Sequence, residues 1–305
     1  MAKAYGDITE TVGNTPLVKI NKLSSGLHGN IYVKAEFINP LSSIKDRVAV
    51  ALIEDGEKKG LINRDTLIID ATRGNEGIAL SFVCAQKGYN LLLTMPDTVT
   101  DERKRLLHMF GTKVVLTEGK KGMTGAVVKA QEFAKTYPNS FIPCQFTSKE
   151  ASDVHKRTTA VEIWEALDGE IDYFIAGVGS GGTITGVGEF LKEHRPKVKI
   201  VAVEPEDCAV LSGGVSGSHT IYGIGAGFVP EILNRDIINE IIKIGFENAY
   251  ITTSRLAKEE GILAGISSGG NLWAALQIAA RPETEGKNIV TILCDSGERY
   301  IMHFY

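Results

Sequence analysis

Between positions 65 and 136 the chain switches three times from a short apolar run to a longer stretch of helical spacing. Asp65 to Asp70 (DTLIID) reads as a strand, and Gly77 to Gln86 (GIALSFVCAQ) follows as a helix. Asn90 to Met95 is again strand-like, followed by a helix over Thr100 to Phe110. Lys113 to Leu116 and Gly122 to Thr136 repeat the pattern. Strands joined by helices cannot pair as hairpins, so three such units in series imply a parallel sheet. A second set starts near Ile171, with strands at Asp172 to Val178, Lys199 to Val203 and Ile289 to Leu293, and a helix over Thr183 to His194. The expected fold class is therefore α/β, with two packed domains, each holding a mostly parallel twisted sheet flanked by helices. Sheets of this kind take ligands at the carboxyl ends of their strands.

The 33 glycines fall where those ends should be. The densest segment, Gly177 to Gly186 (GVGSGGTITG), lies between a predicted strand and a predicted helix. Glycines there let backbone N–H groups converge on an anion, and the helix dipole adds partial positive charge. A phosphate cradle is the natural reading, against a plain strand-to-helix turn. Gly177, Gly179 and Gly182 also satisfy G-x-G-x-x-G, with Glu204 at the end of the next strand, so this segment alone does not separate a dinucleotide from a monophosphate. Two further glycine-rich turns occur at Thr72 to Gly77 (TRGNEG) and Gly265 to Gly270 (GISSGG). Lys45 opens a helix-like stretch directly after the turn Asn39 to Ile44. An amine held at a helix start, out of bulk water, suits imine formation.

Other chemistries fit less well. A formal net charge of -4 without a basic cluster argues against nucleic acid. There is no run of about 18 apolar residues that would span a membrane, and the first ten residues lack a secretory apolar core. The cysteines Cys84, Cys144, Cys208 and Cys294 are widely spaced, as expected for reduced thiols in the cytoplasm. The histidines show no metal-ligand spacing, so no metal is expected. Gly265 to Gly269 also fits G-x-S-x-G, with Asp295 and His303 following in hydrolase order. A nucleophile elbow needs a strand just before its serine, however, and Thr252 to Glu260 reads as helical.

Taken together, these segments resemble the fold-type II pyridoxal phosphate (PLP) enzymes, whose fold is that of the tryptophan synthase β chain, and most closely the cysteine synthases (O-acetylserine sulfhydrylases). The resemblance runs from Val12 to Leu17 (VGNTPL) through Met95-Pro96, Glu102-Arg103, His155 and Thr158-Thr159 to Gly223 to Pro230 (GIGAGFVP) and Asp295 to Tyr300 (DSGERY). It implies PLP bound to Lys45, the Schiff-base lysine and catalytic base. It implies a phosphate loop of Gly179, Ser180, Gly181, Gly182 and Thr183. Asn75 would bond the cofactor's 3′ oxygen, and Ser267 would face the pyridine nitrogen. Thr72, Gly74 and Gln145 would hold the substrate carboxylate, with Arg73 and Glu76 in the same loop. The implied reaction is β-replacement on an O-activated serine: O-acetylserine and sulfide give cysteine and acetate through an α-aminoacrylate. The implied division places residues 1–38 with 149–305 in a larger cofactor-binding domain, and 39–148 in a smaller, mobile, substrate-side domain. A homodimer and binding of the serine acetyltransferase C-terminal peptide are also family properties.

The chain departs from the family on the substrate side. Where the family loop reads T-S-G-N-T-G, Arg73 and Glu76 replace two hydroxyl residues. An ionised glutamate there repels a substrate carboxylate unless Arg73 neutralises it, and three-residue spacing on a first helical turn permits that pair. Ser148 to Ser152 replaces N-P-A-N-P, and Tyr222 replaces a glutamine. Cofactor-side motifs are kept while substrate-side motifs have drifted. The alternative to cysteine synthesis is thus a PLP protein with an altered substrate, such as release of sulfide from cysteine, or a weakly catalytic sensor or partner-binding protein.

Overall fold

The computed structural model describes residues 4–303. Its strands are β1 (Leu17–Lys19), β2 (Asn30–Ala35), β3 (Leu67–Ala71), β4 (Asn90–Pro96), β5 (Lys113–Thr117), β6 (Ser140–Phe141), β7 (Tyr173–Gly177), β8 (Lys199–Pro205), β9 (Glu240–Ile244) and β10 (Asn288–Leu293). Its α-helices are α1 (Lys45–Lys58), α2 (Asn75–Lys87), α3 (Asp101–Met109), α4 (Gly122–Thr136), α5 (Glu150–Val154), α6 (Ala160–Ala166), α7 (Gly182–His194), α8 (Phe246–Arg255) and α9 (Ile266–Ala279). The chain divides into two compact units. One comprises Lys45–Glu150 and the chain start up to Val12; the other comprises Gly13–Ile44 and the chain from Ala151 onward.

The first unit carries a four-stranded sheet in the order β5-β4-β3-β6, with every pair parallel. Its central strand β4 is buried along nearly its whole length because apolar side chains point to both faces. Ile69, Leu92 and Ala130 form one core, with Phe133 and Ile142 packed against it. The chain enters α2 through a tight turn. The Gly74 amide donates to Thr72 Oγ1 at 3.2 Å, and the Thr72 amide donates to the Thr94 carbonyl at 3.1 Å. Gly77 is required here, since a Cβ would stand 2.5 Å from Thr72 Cγ2.

The second unit carries a six-stranded sheet in the order β1-β2-β10-β7-β8-β9, parallel except for β1 against β2. Successive side chains of a strand point to opposite faces, and both faces are apolar. Ile175, Val201, Val203, Ile289 and Leu293 join one core, while Phe174, Ala176, Ile200, Ala202, Val290 and Ile292 join another. A sheet buried on both faces must be covered by helices on both, as the strand–helix alternation requires. A buried ion pair braces this unit: Lys34 Nζ lies 2.6 Å from Glu162 and donates to the Thr15 carbonyl.

Candidate functional site

In the first unit, the expected lysine begins α1 and the expected Thr72 to Gly77 turn begins α2. Lys45 Nζ donates to Gln145 Oε1 at 2.6 Å and stands 3.6 Å from Glu76 Oε2. The second distance is an ion-pair separation, too long for a direct hydrogen bond. Glu76 is only 3% exposed, and neither of its carboxyl oxygens accepts a hydrogen bond. Burial pushes its carboxyl up from the usual range, opposed by the Lys45 charge. Asp70, in β3 just before that turn, is pushed up to about 8, first by burial and then by the Glu76 charge. Its Oδ2 is also buried without a hydrogen-bond partner. Two buried carboxyls near one amine, one raised by the charge of the other, are an arrangement able to hold a proton.

The pairing expected between Arg73 and Glu76 is not the one formed. Arg73 is exposed, and its carbonyl accepts from the Arg103 guanidinium. Glu76 is turned inward to Lys45 because α2 places that position against the interior. Asn75 is half-buried on the first turn of α2, whose N-terminus no side chain caps.

In the second unit, three glycine segments far apart in sequence come together. The helix α7 starts from Gly181, at φ 86°, with no side-chain cap. Its first-turn N–H groups lack intrahelical acceptors, which is the geometry a phosphate takes. The loop is built on close backbone approaches: a Cβ at Gly179 would stand 2.2 Å from the Gly223 carbonyl, and one at Gly182 2.4 Å from the Ala151 carbonyl. Gly223, at φ 98°, lies against Ser267 Oγ, 3.6 Å from where its own Cβ would be. Ser267 is the second residue of α9. Its neighbour Ser268 accepts from the Cys294 amide at 2.9 Å, so only one of the two hydroxyls is committed to that contact. An uncapped helix start, glycine backbones and a hydroxyl fit a phosphorylated aromatic cofactor.

The same geometry separates the rival readings. Glu204, the acid a dinucleotide would need, is buried and occupied: it accepts from the amides of Leu211 at 2.8 Å and Ser212 at 3.0 Å. No strand leads into Ser267, since α8 passes into a π-helical turn at Leu256–Glu260 and then a loop. That removes the nucleophile elbow, and the side chain of His303 lies outside the described residues. No group of three or more possible metal ligands occurs among the described residues.

A family model described as pyridoxal-phosphate dependent enzyme matches residues 8–295. The chain belongs to the pyridoxal-phosphate-dependent enzyme family, and its cofactor is pyridoxal phosphate. A cysteine synthase of Staphylococcus aureus is 46% identical over 300 residues, covering 98% of this chain and 96% of that protein. Among solved structures, a cysteine synthase of Entamoeba histolytica superposes with a TM-score of 0.96 at 42% identity, covering 98% of this chain and 90% of that one. A hydrogen sulfide-producing enzyme of Fusobacterium nucleatum superposes with a TM-score of 0.93 at 41% identity, covering 97% and 100%.

Two residues without a role in the sequence reading emerge within this PLP-family chain. His155, buried on a π-helical turn, stands 3.3 Å from Thr183 Oγ1 through Nε2 and 2.9 Å from Thr159 Oγ1 through Nδ1. It thereby orients a hydroxyl of the expected phosphate loop. Asp70 is the other. Its signal was present in the sequence, as a lone acid closing an apolar strand at the carboxyl end where ligands bind.

Proposed function

We propose that this chain makes L-cysteine and acetate from O-acetylserine and sulfide, with pyridoxal phosphate held on Lys45. The observation that carries the reading is the Lys45 amine, fixed by Gln145 at the start of a helix in a chain similar to cysteine synthases throughout its length. When bound, pyridoxal phosphate supplies an electron sink that eases removal of the proton on the amino acid's Cα. The N–H groups at the start of α7, with Ser180 and the Thr183 hydroxyl oriented by His155, bind the phosphate. Asn75 would bond the ring's 3′ oxygen. Ser267 would face the ring nitrogen with a neutral hydroxyl, which could not hold a proton there as a carboxylate would; this would favour early loss of the β-substituent. Thr72, Gly74 and Gln145 orient the substrate carboxylate, helped by the uncapped start of α2. Lys45 Nζ receives the Cα proton, and Gln145 keeps that amine aimed.

The smaller unit acts as the mobile, substrate-side domain and the larger as the cofactor side. A homodimer, docking of a serine acetyltransferase C-terminal peptide and a cytoplasmic setting extend the same reading. The last is supported by the four free cysteines. No helix among the described residues is long and apolar enough to cross a membrane.

The test is to supply purified holoenzyme with O-acetylserine and sulfide and to quantify cysteine and acetate by mass spectrometry. Equimolar products are expected, falling by at least about 10³-fold in Lys45→Ala, which removes both the attachment point and the base. Absence of cysteine from the wild-type reaction would remove this reading.

A further inference from the structure

No hydrogen bond accounts for the position of the buried Glu76 carboxyl. A glutamate placed in an interior only to brace the fold should have its oxygens hydrogen-bonded, because an unsatisfied buried acid costs stability. Both Glu76 oxygens lack such bonds, and the group that faces them is the amine of Lys45 at 3.6 Å. Asp70, which feels the Glu76 charge, also has an unbonded oxygen. The charged group acting on Glu76 is thus Lys45 from α1, while the Glu76 charge acts in turn on Asp70 of β3, and that of Asp70 on Cys144. The location brings an acid near the amine that takes the proton from Cα, the carbon bonded to the Cβ that loses its substituent.

We propose that Glu76 is the acid that protonates the β-substituent as it leaves, so that the donors of this chain include amino acids with a free hydroxyl or thiol on Cβ. The proposal rests on the β-replacement reading above and names its substrate class. Acetate is a weak base and departs unaided, whereas hydroxide and hydrosulfide are stronger bases and depart far more readily with a proton. In the step, Lys45 Nζ takes the Cα proton and the Cα–H electron pair becomes a Cα–Cβ double bond. The Cβ–O or Cβ–S pair leaves with the substituent, which takes the proton of Glu76 and departs as water or hydrogen sulfide. A thiol or sulfide then adds to Cβ, its proton going to Glu76, while Lys45 returns its proton to Cα. Burial favours the protonated form of Glu76, against the Lys45 charge. A protonated Glu76 is also compatible with a substrate carboxylate nearby, where an ionised one would repel it.

The experiment compares L-serine, L-cysteine and O-acetylserine as donors for wild-type holoenzyme, Glu76→Gln and Glu76→Asp. Glutamine keeps the size and removes the proton; cofactor absorbance and melting confirm folding. Glu76→Gln should lower kcat/KM for serine and cysteine at least about 10²-fold more than for O-acetylserine, with partial recovery in Glu76→Asp. An equal loss on all donors, or none on serine and cysteine, overturns the proposal while the cysteine synthase reading stands. Inactivity of the wild type on all three donors removes both. A second measurement is independent of turnover. In an Asp70→Asn background, where Glu76 is the remaining acid of the pair, the infrared spectrum at neutral pH should show a carboxylic-acid C=O stretch that Glu76→Gln abolishes. Its absence overturns the proposal.

Discussion

Asp70 makes the smaller unit's stability depend on pH in a direction opposite to that of most surface carboxylates. Its carboxyl is pushed from 3.8 up to about 8, so the folded chain holds a proton that the unfolded chain has released across that interval. Where the native state binds more protons, stability falls as pH rises. A tenfold difference in proton affinity between the two states is worth about 1.4 kcal/mol, so a loss of a few kcal/mol accrues between about pH 4 and about pH 8. Asp70→Asn removes this dependence. It should raise the melting temperature at roughly pH 9 and have little effect at roughly pH 4, measured by circular dichroism. A gain confined to acid would show that the carboxyl is not buried in its neutral form. At this scale the sequence was half legible. The T-R-G-N-E-G loop marked Glu76 as out of place, yet spacing along the helix suggested Arg73 as its partner. The choice of Lys45 depends on which face of α2 turns inward, and that is settled by packing against β4 and α1 rather than by the loop itself.

Between β7 and α7 the loop is defined by what glycine leaves out. Gly179→Ala and Gly182→Ala each drive a methyl group into a backbone carbonyl, 2.2 and 2.4 Å away, where no side chain can swing aside. Each should cost about 1–3 kcal/mol in urea unfolding and weaken cofactor binding measured by fluorescence titration. Gly74→Ala makes the opposite case. Nothing lies within 4 Å of its Cβ, and its φ of -140° is open to any residue, so stability should change by no more than about 0.5 kcal/mol. Seen in the sequence, the three glycine segments look alike; only their long-range contacts distinguish a close approach from open space. Strands show the same division. The predominantly apolar β3, β4, β7, β8 and β10 were readable as runs. The short, half-exposed β1, the two-residue β6 and the mixed β9 gave no such run. In β2, Lys34 interrupts an otherwise readable alternation, and its charge is tolerated inside only because Glu162 meets it at 2.6 Å.

For the molecule as a whole, the strand–helix alternation determined the class of fold but not the strand order. Placing β10 between β2 and β7 joins segments more than a hundred residues apart, a pairing that no local pattern encodes. The segments that resemble the cofactor motifs likewise occur in both units, Lys45 in one and the glycine loop of α7 in the other. Each contribution has a measurable consequence for global stability. A ligand bound only by the folded chain stabilises it by about 2.7 kcal/mol at a hundredfold excess over Kd, and by about 1.4 kcal/mol for each further decade. Stripping pyridoxal phosphate should therefore lower the melting temperature, and adding it back should restore the temperature along that logarithmic slope. In Lys45→Ala the proposed covalent anchor is gone while the glycine loop of α7, the proposed phosphate cradle, remains. Its slope should be the same, but displaced to higher cofactor concentration, and the displacement reads out the contribution of the lysine. Should Lys45→Ala follow the wild-type curve without displacement, Lys45 would not be the attachment point, whatever its place beside Glu76 and Gln145.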